Sequence, residues 1–292
     1  MLFGAVFPQT EIGPDRQSIR DYAQAVEGLG YSHIVAYDHV LGADTAHRPG
    51  WRGYTYRDQF HEPFVLFGYL AALTQLELVS GVIILPQRQT ALVAKQAAEV
   101  DVLSNGKLRL GIGVGWNPVE YEALGRDFHQ RGRIVEEQIE VLRLLWSKEV
   151  VTFHGQYHLI NEAGINPLPI HRTIAIWMGG SADITLRRTA RLADGWFPLG
   201  HPNQQMEQAI QRLRTYLQEA GRNSATFGIE AQVNIRESDL AGWIRETQRW
   251  QALGATHISL NTMGAGFTAL QQHLDALRRY KEALNNSLDA DL

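Results

Sequence analysis

The sequence predicts an α/β protein: a (β/α)8 TIM barrel formed by residues 1–292 as a single domain, with insertions after the second and fourth strands. Three observations predict it. Short apolar runs alternate with amphipathic segments along the chain, the sequence form of repeated β/α units. Eight such runs can be counted, the number that closes a barrel. The length of 292 residues also falls in the range of single α/β barrels.

The expected strands are LFGAVFP (2–8), HIVAYDH (33–39), LELVSGVIILP (76–86), LRLGIGVGW (108–116), TIAIWMGG (173–180), GWFPLG (195–200), FGIEAQVNI (227–235) and HISLNTMG (257–264). Between them, Ile19, Tyr22, Val26 and Leu29 recur at helical spacing. So do Val135, Ile139, Leu142 and Trp146, and Met206, Ile210, Leu213 and Leu217. Gly30 closes the first helix, LSNGKL ends the helix before the fourth strand, and Ser181 is placed to cap the helix after WMGG. Two segments break the repeat. Val40 to Pro63 is long, aromatic and polar, and Val151 to Ile160 reads as a hairpin centred near Gly155.

Composition narrows the function. With 45% hydrophobic and 20% charged residues the chain can bury a sizeable core. A net charge of −4 without a basic run argues against nucleic acid and anionic membranes, and leaves a small molecule as the expected partner. The absence of cysteine excludes disulfides, thiolate nucleophiles, cysteine-bound zinc and ordinary iron–sulfur ligation within the chain. The start lacks a basic n-region and no apolar run reaches membrane-spanning length, so a cytoplasmic location is expected.

The fourth strand carries Gly111, Gly113 and Gly115 at alternate positions and then Trp116-Asn117-Pro118. A dinucleotide fingerprint would need glycine where Trp116 or Pro118 stands. The three glycines share one face of a strand and leave it bare, either for large core residues or for a flat ligand. Position favours packing for Gly111 and a ligand for Gly115, because barrel sites lie at the C-terminal strand ends. Asp38 and His39 end the second strand; histidine can exchange a proton near neutral pH and Asp38 can orient a neighbour, or the pair can fix a loop. Gly81-Val82 ends the third strand as a glycine bulge or as backbone set against a ligand. After the fifth strand, Gly179-Gly180 and Ser181 precede a helix whose N-terminus suits a phosphate; Ser181 as a cap is the simpler reading.

Other chemistry is poorly supported. Asp183 stands where a nucleophile elbow needs glycine, and neither a P-loop nor an H-E-x-x-H run is present. His154 and His158 belong to opposite arms of the hairpin and read as solvated. Glu120 and Glu122, two apart, read as a charged face rather than a hydrolytic pair. Trp51, Tyr54 and Tyr56 form either the core of the 40–63 segment or an aromatic lid.

The ordered set YDH, GVIILP, LRLGIGVGWN and WMGGSADITLRRTARLADGW resembles the bacterial luciferase-like flavin and deazaflavin oxidoreductases. It is most similar to the branch using coenzyme F420, an 8-hydroxy-5-deazaflavin. The resemblance implies a cofactor ring across the barrel mouth, against a bulge at Gly81-Val82 that commonly holds a non-prolyl cis peptide. It implies that Gly113 and Gly115 give the ring clearance, that Gly179, Gly180 and Ser181 receive its phosphate, and that Gly195 and Trp196 lie near the same group. Asp38 joins this cofactor set, and Asp38 and His39 become the catalytic pair, with His39 exchanging the proton that accompanies hydride transfer at C5. Deazaflavin-dependent sugar-phosphate dehydrogenases carry a glutamate where this chain has Trp116-Asn117, so the expected substrate is apolar or aromatic. Trp116, Asn117, Trp51 and Tyr54 are its expected contacts. A homodimer and a separate reductase for the cofactor are further implications. The alternatives are an FMN-dependent monooxygenase using oxygen, a barrel hydrolase acting through carboxylates such as Glu120, and a barrel that binds a flavin without turnover.

Overall fold

The computed structural model describes residues 1–289. Its strands are β1 (Leu2–Val6), β2 (His33–Ala36), β3 (Glu77–Ser80), β4 (Ile83–Ile84), β5 (Leu108–Gly113), β6 (Val151–His154), β7 (Leu159–Ala163), β8 (Ala175–Gly179), β9 (Gly195–Phe197), β10 (Gly228–Asn234) and β11 (His257–Asn261). The helices are α1 (Arg16–Gly28), α2 (Pro63–Ala71), α3 (Thr90–Leu103), α4 (Pro118–Ala123), α5 (Arg131–Ser147), α6 (Asp183–Leu192), α7 (Gln204–Glu219), α8 (Leu240–Leu253) and α9 (Leu270–Asp289). Strands buried on both faces read as continuous apolar runs, and these pair in parallel in the order β3-β2-β1-β11-β10-β9-β8-β5-β4. Pairing of β3 with β5 closes the ring into the expected eight-stranded barrel, β4 continuing the position of β3.

The helical spacings bury the residues that predicted them. Ile19, Tyr22 and Val26 face inward on α1, which Asp15 caps by accepting from the amides of Gln17 and Ser18. Gly30, at φ +74°, turns the chain out of that helix, a conformation open to glycine at little cost. Val135, Ile139, Leu142 and Trp146 do the same for α5, and Met206, Ile210, Leu213 and Leu217 for α7.

Three expectations change. The run 76–86 is not one strand: Val79 pairs with Arg109 but Ile83 with Ile112, so Ser80, Gly81 and Val82 oppose only two residues of β5. This is a β-bulge, and the Gly81-Val82 peptide within it is cis. Ser181 is not the cap of α6. Gly180, at φ +125°, turns the chain so that Ala182 takes the cap position, and the Ser181 hydroxyl instead accepts from the Leu199 amide at 3.4 Å. His158 is not solvated: its ring bridges Glu137 Oε1 (2.7 Å) and Thr90 Oγ1 (2.6 Å), pinning the β6–β7 hairpin to α5 and α3. His154 is exposed, bonded to Asn161 on the other arm.

The lower barrel interior is charged. Glu230 is fully buried between His33 (2.9 Å) and Arg109 (2.5 Å), with the Ser259 hydroxyl donating to it, and Arg109 reaches Glu77 at 2.8 Å. Burial pushes the Glu230 carboxyl up, but His33 and Arg109 outweigh it and hold the group well below the carboxylate range. Arg109 also lies 4.3 Å over the Trp177 ring. Glycines make room for this bulk: a Cβ on Gly195 or Gly228 would fall about 2 Å from the Trp177 indole.

A candidate active site at the mouth of the barrel

A cavity of about 630 Å³ opens at the C-terminal ends of the strands, where catalytic barrels place their chemistry. Its floor explains the glycine row. A Cβ on Gly113 would stand 2.7 Å from Val82 Cγ2, and one on Gly115 2.7 Å from Ile84 Cγ2. The bare face of β5 therefore first receives the side chains of the bulge, while both glycines still line the cavity. A Cβ on Gly179 would be 3.3 Å from the other Val82 methyl, so Val82 rides on Gly113 and Gly179 as a smooth apolar shelf. Gly111 lies deeper and serves packing alone: its Cβ would meet the Ser80 carbonyl and the Phe197 ring.

Asp38 holds this shelf in place. Its Oδ2 accepts from the Ile84 amide at 3.1 Å, just past the bulge, and its carboxylate pairs with Arg88 at 2.7 Å. Burial pushes Asp38 up, against the opposing pull of Arg88. The geometry makes Asp38 a positioning residue, with both oxygens spent on Arg88 and the backbone.

His39 is mostly buried and lines the cavity. Its Nδ1 donates to Glu120 Oε1 at 3.2 Å, and that carboxylate also accepts from the Val40 amide at 3.1 Å and Gln87 at 3.4 Å. The contact fixes the ring and leaves Nε2 without a hydrogen-bond partner among the described residues, the arrangement a proton-exchanging histidine needs. Glu120 is thus the residue the sequence reading misplaced: it is 1% exposed and turned to His39, while Glu122 is exposed, so the two do not form a pair across the cavity. Aromatic rings crowd His39: Tyr54 at 5.0 Å, Phe60 at 4.6 Å and Trp116 at 6.3 Å. Trp116 is half exposed, and Trp51 packs 5.5 Å from it. Gly53 lets the 40–63 segment lie directly on the Trp116 indole.

Not every expected residue reaches the cavity. Asn117 is buried and caps α4 by accepting from the Val119 amide at 3.0 Å. Trp51 touches the cavity only through Trp116, since its own indole N–H is held by the Gly53 and Tyr54 carbonyls. Gly195 serves Trp177, and Trp196 is buried with its indole N–H donating to the Gly180 carbonyl at 2.7 Å. Gly179, Gly180, Ser181 and Thr185 do line the cavity beside the start of α6. No Lys or Arg lines it among the described residues.

The far wall was not foreseen. Tyr37, Gln232 and Asn234 line it, inward-facing positions that read in the sequence as ordinary strand. Tyr37 donates to Gln232 Oε1 at 2.8 Å, and burial pushes its hydroxyl above the ordinary tyrosine value, so it stays protonated. The residues present fit a flat ring: an apolar shelf, a glycine-rich edge ending at a helix start, and a histidine beside them.

Comparison with known proteins agrees with this geometry. A family model described as luciferase-like monooxygenase matches residues 1–291. An uncharacterized protein of Mycobacterium tuberculosis is 36% identical over 209 residues, covering 69% of this chain and 72% of that protein. The FMNH(2)-dependent dimethylsulfone monooxygenase of Pseudomonas fluorescens is 31% identical over 225 residues, 75% of this chain and 58% of that enzyme. Among solved structures, an F420-dependent secondary alcohol dehydrogenase in complex with an F420-acetone adduct superposes with a TM-score of 0.79 at 15% identity, covering 96% of this chain and 97% of that one. A monooxygenase from Streptomyces bottropensis superposes with a TM-score of 0.78 at 18% identity, covering 99% and 100%. Likeness at such low identity speaks for the fold. No helix among the described residues is long and apolar enough to cross a membrane. The family model, spanning nearly the whole chain, identifies the protein as a member of the luciferase-like monooxygenase family.

Proposed function

We propose that the chain is an F420-dependent oxidoreductase acting on a small uncharged organic substrate. The observation that carries the proposal is the shelf of Val82 on Gly113 and Gly179 in one cavity with a histidine whose Nε2 has no hydrogen-bond partner among the described residues. When bound, the deazaflavin supplies C5 as donor or acceptor of a hydride. The chain's residues do the rest. Val82 and the β5 glycines give the ring a flat support, Asp38 keeps that support in register, and Gly180, Ser181 and Thr185 meet the phosphate. His39 exchanges a proton at Nε2, held by Glu120, while Tyr54, Phe60 and Trp116 pack around its ring.

The choice of F420 over FMN rests on charge. FMN ends in a phosphomonoester that is close to a dianion at neutral pH, whereas the F420 phosphate is a diester with a single charge. Among the described lining residues there is no Lys or Arg, and the backbone N–H groups and hydroxyls at the phosphate end, with His201 also in the lining, suit a singly charged phosphate group. Reduced FMN with oxygen is the second reading, favoured by the 31% identity to an FMNH(2)-dependent monooxygenase. Titration of the purified protein with oxidised F420 and, separately, FMN, followed by absorbance and fluorescence, separates them. Binding of F420 with negligible FMN binding is expected; the reverse moves the assignment to the FMN reading, and binding of neither rejects both.

A further inference from the structure

The far wall of the cavity contains a hydrogen-bond chain whose direction can be derived from one end. The Met263 amide donates to Asn261 Oδ1 at 3.0 Å, and a backbone N–H can only donate, so Asn261 must present Nδ2 as its donor. That group donates to Asn234 Oδ1 at 3.0 Å and to the Tyr37 hydroxyl at 3.2 Å. With its oxygen accepting, Tyr37 gives its own proton to Gln232 Oε1 at 2.8 Å. Both carboxamide oxygens are thereby used from behind. The NH2 groups of Gln232 and Asn234 remain, and no hydrogen bond reaches either among the described residues. Both side chains line the cavity, and as residues i and i+2 of β10 they share one face of the strand. Asn234 also precedes a short 3-10 turn that its side chain does not cap, so its NH2 is not taken up locally.

We infer that Gln232 and Asn234 form a donor pair for a carbonyl-type oxygen of the substrate, and that this enzyme selects uncharged molecules carrying such an acceptor. The inference rests on the proposed function in assigning the pair to substrate, since a ring laid on Val82 and the β5 glycines occupies the opposite wall. Two oriented donors recognise an acceptor and reject the hydrocarbon of the same shape, because without the oxygen they lose their water and gain nothing. No Lys or Arg stands among the described lining residues to balance an anion at the same place.

The test uses the whole chain, first without cofactor. The side-chain NH2 resonances of Gln232 and Asn234, assigned by their loss in Gln232→Leu and Asn234→Leu, are followed by NMR during titration with cyclohexanone and with methylenecyclohexane, a hydrocarbon of the same shape. The ketone is expected to shift both pairs and the hydrocarbon neither, and each leucine variant to weaken ketone binding by about tenfold, the equivalent of one hydrogen bond. Affinity for F420 and for FMN is expected to stay within about twofold. Gln232→Glu and Asn234→Asp, of nearly unchanged shape, serve if a leucine variant fails to fold. Equal shifts with both probes, or none with the ketone, overturn the inference. So does a variant that loses cofactor rather than ketone affinity, since the pair then serves the cofactor. Failure of the wild-type chain to bind either cofactor counts against the proposed function alone, because the ketone titration is read without one.

Discussion

Substituting Gly113 by alanine tests the shelf directly. The new Cβ would stand 2.7 Å from Val82 Cγ2, against about 3.5–4.0 Å for an ordinary carbon contact, so one of them must move by about 1 Å. β5 is buried along its whole length and paired on both sides, so the strand cannot yield; Val82 can retreat only into the cavity. Overpacking of this kind costs about 1–3 kcal/mol, offset by about 0.4–1 kcal/mol because alanine has less freedom than glycine when unfolded. The net expectation for Gly113→Ala is a loss of about 0–2.6 kcal/mol with a cofactor affinity reduced about tenfold. Gly179→Ala is the comparison, because its Cβ at 3.3 Å from Val82 needs a shift of only a few tenths of an ångström, and both readouts should move less than for Gly113→Ala. Gly111→Ala marks the other extreme: its Cβ would lie 1.9 Å from the Ser80 carbonyl oxygen, a backbone atom, and that variant should be the least stable of the three. Urea midpoints and titration with whichever of F420 or FMN the protein binds provide the measurements. If Gly113→Ala and Gly179→Ala are indistinguishable in both, the shelf reasoning is refuted.

His39→Ala should suppress turnover far more than cofactor affinity; unchanged turnover would remove its proton-exchanging role. Glu120→Ala should lower kcat and destabilise by about 1–3 kcal/mol, because the Val40 amide and Gln87 lose a buried acceptor, whereas Glu120→Gln keeps an oxygen for His39 and should recover most of the rate. Burial, aided by Arg109, holds His257 down to about 4, and burial holds His273 down to about 4, against 6.5 for the unfolded chain. Between those values the unfolded state binds more protons, so their contribution is complete above pH 6.5 and is lost as pH falls toward 4. Thermal melts should therefore show Tm falling across that window, with a shallower slope in a His257→Gln, His273→Gln double variant; an unchanged slope would assign the loss to other groups. We propose that the expected homodimer forms through the apolar positions exposed on neighbouring helices, Val65 on α2 and Leu92 and Leu103 on α3. Light scattering should give twice the chain mass, and Val65→Glu should halve it; a monomeric wild type refutes the dimer.

The sequence by itself determined the architecture, because burial on both faces writes each barrel strand as an apolar run and burial on one face writes each helix as a spaced stripe. It also marked the positions where a side chain is forbidden, such as Gly111, Gly113 and Gly115, and placed Asp38, His39 and Trp116 at strand ends. The tertiary structure decided what those positions face. The occupants of the glycine row are Val82 and Ile84, brought there by a one-residue bulge that shifts the register of the third strand position against β5. Glu120 looked like a surface charge and is the partner of His39, 81 residues earlier in the chain. Gly195 gives room to Trp177, and Trp196 donates to the carbonyl of Gly180, contacts that no sequence spacing announces. Gln232 and Asn234 carried no signal at all, since a carboxamide becomes a directed donor only when a bond from behind, here from Tyr37 and Asn261, takes its oxygen. Local periodicity records which side of an element is buried; which residue meets which across the barrel is set by register, bulge and hydrogen-bond direction, and those exist only once the strands have closed.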